Sequence, residues 1–204
     1  MITVDKTNPV WVVTLNRPDK ANALTEQMLI DLRDAAHDAQ NARGLILTGE
    51  GKVFSAGADL DAARAGLAKS PLWEELSGAI ADLPCMSIAA LNGTLAGGAM
   101  GMALACDMRI AVASAKFFYH VMKLGYLPQP SDPMRMRNLI GPARAKMILL
   151  GGQKILADEA LAFGLIDRIV NPTDLLGHAH SLMDDSAAAT PEHCADIKGM
   201  IGTH

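Results

Sequence analysis

The chain has 204 residues, 50% of them hydrophobic and 20% charged, with a formal net charge of −4. That length and apolar content suit one globular domain with a sizeable core and exclude a disordered chain. Its 18 Lys and Arg residues are scattered without a run, which removes the electrostatic case for a nucleic acid or an anionic membrane surface.

The first residues, MITVDKTNPV, have no basic start leading into an apolar run and do not read as a signal peptide. VWVVTLNRP (10–18) is rich in β-branched residues, stops at a proline and predicts a strand. TEQMLIDLRDAAHDAQ (25–40) predicts a helix capped by Thr25, with Met28, Leu29, Leu32, Ala35, Ala36 and Ala39 at helical spacing. GLILTGEG (44–51) is a continuous apolar run closed by glycines, as in a strand covered on both faces. SIAALNG (87–93) predicts a second such strand, residues 98–106 a helix of small residues, and MRIAVA (108–113) a third buried strand. Farther on, ADEALAFG (157–164) predicts a helix ended by Gly164, LIDRIV (165–170) a strand, and the segment after Pro191 a helical tail. This alternation predicts an α/β chain of parallel crossover units, with a core over 1–170 and a short tail over 171–204.

Residues 85–106 carry no charge, but glycines and Asn92 interrupt them, unlike the roughly 20 steadily apolar residues of a membrane span. Cys85, Cys106 and Cys194 lie far apart without a CxxC and read as small buried residues in a reducing cytoplasm. His178, His180 and His193 lack metal-site spacing, so no metal is expected.

Two predicted strands run into glycine-containing loops that lead to helices: GKVFSAGADL (51–60) and NGTLAGGAMG (92–101). In α/β sheets, ligands sit at the C-terminal ends of strands, and helix N-termini present unpaired N–H groups. If the two strands are neighbours, N–H groups from both loops can point at one oxygen and stabilise charge developing there. Neither loop matches GxGxxG or GxxxxGK[ST], which disfavours a nucleotide-phosphate cradle.

Five segments in order carry a resemblance. LNRPDKANALT (15–25), GLILTGEGKVFSAGADL (44–60), AALNGTLAGGAMGMALACDMRIA (89–111), AKFFYHVMKLGYLP (115–128) and ADEALAFGLIDRIV (157–170) are similar to the crotonase (enoyl-CoA hydratase/isomerase) superfamily. The resemblance implies a fold of repeated ββα units, with two roughly perpendicular sheets surrounded by helices, assembled as homotrimers or dimers of trimers. It implies a coenzyme A thioester as substrate and no permanently bound cofactor. Matched motif by motif, Ala58 and Gly98 would supply the two oxyanion N–H groups. Lys20, Ala21, Ala23, Ala56, Asp59 and Leu60 would lie along the CoA arm and adenine pocket, with Gly97, Gly101 and Val121 also at the ligand. Asp59 and Asp107 also sit at element boundaries, where aspartate braces local backbone.

The chain departs from the family where hydratases carry two glutamates. Those positions are Gly101 and Val121 here, and neither residue can activate water or deliver a proton. This argues against ordinary hydratase activity and leaves thioester hydrolysis, decarboxylation or another enolate reaction. A non-catalytic acyl-CoA-binding or assembly subunit is the alternative. His120 is the first replacement candidate because imidazole titrates near neutrality; in an extended segment it would point away from Val121. Tyr119 would then share Val121's side and could donate to a leaving group; Tyr126 and Asp132 follow the LG turn, where the resemblance implies further polar groups, though PSDP (130–133) also reads simply as a turn and helix start. Family members usually continue beyond this length, so the acyl pocket is expected to be more open or covered by another subunit. The 12 methionines suit an adaptable lining or core gap-filling.

Overall fold

The structure, a computed structural model, describes residues 1–202. In order, the chain forms β1 (Ile2–Asp5), β2 (Val10–Leu15), α1 (Glu26–Asp38), β3 (Gly44–Gly49), β4 (Val53–Ser55), α2 (Leu60–Arg64), α3 (Leu72–Ala81), β5 (Met86–Leu91), β6 (Thr94–Ala96) and α4 (Met100–Ala105). It continues with β7 (Met108–Val112), β8 (Lys116–Phe118), α5 (Val121–Leu124), α6 (Asp132–Leu149), β9 (Ile155–Leu156), α7 (Ala157–Phe163), β10 (Arg168–Val170), α8 (Leu175–Ser181), α9 (Asp184–Ala188) and α10 (Pro191–Ile201). The tail is helical as predicted; Thr203 and His204, its last residues, lie outside the described residues.

A six-stranded sheet runs β1-β2-β3-β5-β7-β10, parallel except for the edge strand β1. A four-stranded sheet runs β4-β6-β8-β9, with only β9 antiparallel. β3 and β5 are neighbours, as the two-loop reading required, and Leu45, Ile46, Ile88, Ala89 and Ala90 on them are fully buried. Burial on both faces explains why these strands read as unbroken apolar runs. Thr25 caps α1 by accepting the Met28 N–H, and Met28, Leu29, Leu32 and Ala36 turn inward from that helix. Leu175, Ala179 and Met183 of the tail enter the same core.

Three local expectations are corrected. The two loops are not irregular throughout: Val53–Ser55 and Thr94–Ala96 pair as parallel strands of the second sheet. Residues 165–167 are not strand. Gly164 ends α7 at φ 84°, and the Leu165 and Ile166 N–H groups bond back to Ala160 O, so β10 starts only at Arg168. Residues 119–121 are not extended, because Val121 N–H bonds to Tyr119 O and α5 begins there.

No helix among the described residues is long and apolar enough to cross a membrane. The uncharged stretch 85–106 is instead divided among β5, β6 and α4. Arg109, 3% exposed, ties the end of α4 to the turn before β10 through Cys106 O and Leu165 O. Burial pushes the Cys85 thiol up to about 11 and the Cys106 thiol to about 12, so neither is a thiolate nucleophile at neutral pH.

Candidate active site

The chain leaves β4 and β6 side by side and turns sharply in both places. Gly57 (φ 92°) and Gly97 (φ 57°) take left-handed conformations that favour glycine. The turns also touch. A β-carbon on Gly57 would stand 2.8 Å from Ala96 O, and one on Gly97 would stand 3.6 Å from the Gly57 α-carbon. Backbone packs against backbone here, which is the physical reason for the small residues in both motifs.

The next residues are Ala58 and the second glycine, Gly98. A parallel bridge between Leu24 and Ala58 bonds Leu24 N–H to Gly57 O and Asp59 N–H to Leu24 O. That pattern uses Ala58's neighbours and leaves its own N–H facing the other way. Gly98 is the second residue of the single turn Gly97–Ala99 that precedes α4, where helix N–H groups have no intrahelical acceptor.

Both residues line one cavity of about 180 Å³, with a mostly apolar wall. Ala56, Leu60 and Gly97 join them from the same rim, and His120 and Val121 from the segment after β8, the strand beside β6. Lys20, Ala21, Ala23 and Asp59 lie outside this wall, in the segment that supports the first rim loop: Ala56 N–H bonds to Ala21 O, and Asp59 caps α2. Arg17 bonds Asp59 at 2.8 Å and holds its carboxyl below the ordinary carboxylate range, with the Ala62 N–H assisting. Asp107 braces β5 by accepting from Ser87 N–H and Oγ, as expected of an aspartate at that boundary. Among the described residues no methionine lines the cavity; Met28, Met100, Met102, Met136 and Met183 fill the core.

Gly101 is buried behind the wall, and its surroundings were not foreseen. A β-carbon there would meet Asp132 Oδ1 at 2.8 Å and Oδ2 at 3.3 Å. Asp132 begins α6, as the turn-and-helix reading has it, but it is fully buried rather than a surface cap. Tyr119, a wall residue, donates its hydroxyl to Asp132 Oδ2 at 2.9 Å. Burial raises the Asp132 carboxyl to about 7, against the lowering effects of the Tyr119 hydrogen bond and Arg135; Glu74 adds to the rise. Because the chain bends at residue 120, Tyr119, His120 and Val121 all reach the cavity, and the expected alternation of sides is lost. The His120 ring stacks on Phe118, with centroids 4.6 Å apart.

Two further residues escaped the sequence reading. Trp73 of α3 lays its ring over Gly98, 3.1 Å from where a β-carbon would stand, while Nε1 donates to Leu67 O. Asn22, fully buried, accepts from Arg17 N–H and donates to Glu50 O and Val53 O, tying the 17–23 turn to β4. Its place between Ala21 and Ala23 in the DKANAL motif was the available signal.

Comparisons with known proteins agree with this architecture. The profile of the family described as enoyl-CoA hydratase/isomerase matches residues 5–203. A crotonyl-CoA hydratase of Syntrophomonas wolfei is 35% identical over 184 residues, covering 86% of this chain and 71% of that protein. A 4-chlorobenzoyl coenzyme A dehalogenase of an Arthrobacter species is 30% identical over 212 residues, covering 98% of this chain and 75% of that protein. The crystal structure of an enoyl-CoA hydratase from Bacillus anthracis superposes with a TM-score of 0.91 at 33% identity, over 98% of this chain and 81% of that one.

Proposed function

Because this chain belongs to the enoyl-CoA hydratase/isomerase family and has its crotonase-type α/β fold, we propose that it processes acyl-CoA thioesters by stabilising an oxyanion or enolate with the N–H groups of Ala58 and Gly98. The observation that carries this reading is the contact between the two rim turns. Gly57 and Gly97 bring their backbones together, so the next residues, Ala58 and Gly98, line one largely apolar cavity. A pair of preorganised donors acts on developing charge, and each is worth about 3 kcal/mol of barrier.

Coenzyme A enters as part of the substrate and leaves with the product. The 17–23 turn and Asp59, which buttress the first rim loop, are assigned to the CoA arm on the family pattern. Ordinary hydration is not the assigned reaction. Gly101 and Val121 stand where hydratases carry their acid/base glutamates, and adding water across a double bond needs both roles filled. Assembly as trimers or dimers of trimers is assigned on the family pattern.

Calorimetry with butyryl-CoA against free CoA tests the site. A preference of at least tenfold for the thioester is expected, and equal affinity would remove the oxyanion assignment. Crotonyl-CoA hydration tests the glutamate argument: the expected rate is negligible, and turnover near that of ordinary hydratases would overturn it.

A further inference from the structure

Resting on the oxyanion reading above, we infer that Tyr119 and Asp132 form a proton relay that removes and returns a proton at the carbon next to the thioester carbonyl, replacing a side-chain carboxylate at position 101. Three observations place the relay. Both Asp132 oxygens lie within 3.3 Å of the site of a β-carbon on Gly101, so a carboxylate occupies that region although residue 101 has no side chain. Gly101 follows Gly98 by one helical turn, and residues three apart on a helix stand about 5–6 Å from each other. The carboxylate is therefore one turn from the N–H assigned to the thioester oxygen. Tyr119 bridges the remaining gap, since it belongs to the cavity wall and its hydroxyl is bonded to Asp132 Oδ2.

The surroundings suit proton exchange better than structural bracing. Among the described residues Asp132 Oδ1 has no hydrogen-bond partner, and an orphaned buried oxygen is a cost that a purely structural residue would shed. The charged groups around the pair are Glu74 from α3, which disfavours the carboxylate, and Arg135 from α6, which favours it. With its carboxyl raised to about 7, Asp132 holds comparable amounts of both protonation states near neutral pH, as an acid/base group should. Burial moves the Tyr119 phenol far the other way, above its ordinary range, so it passes protons without holding charge.

The step balances without a co-reactant. The α-carbon's C–H bond breaks as its proton moves to Tyr119 Oη, and the phenol's own proton passes to Asp132 Oδ2. The electron pair moves into the thioester, whose oxygen is held at Ala58 and Gly98. The reverse transfer returns a proton to the same carbon, or to the far end of a conjugated acyl chain, which shifts the double bond.

Exchange of the α-protons of butyryl-CoA in D2O, read by mass spectrometry, tests the relay in the full-length protein. Wild type should exchange them, with a rate that rises with pH through an ionisation near 7. Tyr119→Phe, which removes one hydroxyl, should slow exchange about 100-fold or more while calorimetric binding of butyryl-CoA is kept. Asp132→Asn should do the same and abolish the pH dependence, a readout that lost packing would not move. The relay is overturned if Tyr119→Phe exchanges normally, if exchange disappears in His120→Gln instead, or if wild type binds butyryl-CoA and exchanges nothing. Failure of wild type to prefer butyryl-CoA over CoA removes the oxyanion site itself, and the relay with it.

Discussion

Ala58 and Gly98 line the cavity from two tight turns and are proposed to serve it through main chain, whereas Tyr119 lines it with its side chain bonded to Asp132. The rim is built from sharp turns and close backbone contact, so its demands on sequence are local and strict: small residues, and glycine where φ is positive. The wall after β8 is built from groups that come together from separate elements. A carboxylate near position 101 can come from α4 or from the start of α6, because only its place in space matters to the chemistry. Strictness on one side and freedom on the other make the rim readable along the chain and the wall unreadable position by position.

The wall gives the largest expected effect. Asp132 is fully buried and its carboxyl is raised from 3.8 to about 7. Below about pH 4 the carboxyl is protonated in both the folded and the unfolded chain, and this group takes nothing from stability. As pH rises, the unfolded chain releases its proton first, and stability falls until the folded carboxyl ionises near 7. The loss over that window is on the order of 4 kcal/mol, at 1.36 kcal/mol per unit. Asp132→Asn, with no charge to bury, should remove it. Urea unfolding of both proteins at pH 4.5 and pH 8 should show the variant gaining on wild type at the higher pH. Parallel pH dependences would mean that Asp132 is not the buried acid described here.

The rim should be next most sensitive, through its support. Asn22→Ala leaves Arg17 N–H, Glu50 O and Val53 O without the partner that joins the 17–23 turn to β4. Two part-buried backbone groups then lose their partner, while Val53 O keeps only a longer bond from Asn92, and the cost should be about 2 kcal/mol, measured by denaturant unfolding. The thioester preference should fall with it, since Ala56 hangs from Ala21 in the same turn. A variant that loses stability but keeps full discrimination between butyryl-CoA and CoA would separate the turn from the rim.

These contrasts also mark what could be read from sequence. The unbroken apolar runs of β3 and β5 identified two buried strands, though not that they are neighbours, and Thr25 marked the start of α1, because strand burial and helix capping act over a few residues. The turns at Gly57 and Gly97 were legible for the same reason. Asp132 was readable both as a helix start and as a polar group after the LG turn, but its burial against Gly101 of α4 and Tyr119 was not, because those contacts come from other elements. Trp73 was invisible because nothing local says that α3 crosses Gly98.

Trp73 sets the last and smallest prediction. A main-chain donor needs no particular side chain, so the requirement for glycine at position 98 has to come from elsewhere. The six-membered part of the Trp73 ring lies 3.1–3.2 Å from where a β-carbon on residue 98 would be, tighter than ordinary carbon contact. Gly98→Ala should therefore cost about 2 kcal/mol by overpacking while leaving the N–H in place. In a Trp73→Phe background the smaller ring gives way, and the same substitution should cost about 1 kcal/mol less, a coupling that a double-mutant cycle resolves. Additive effects would show that the ring does not limit the side chain at position 98, where φ is not positive. Coupling together with retained preference for butyryl-CoA in the double variant would show that position 98 serves the ligand through its main chain alone.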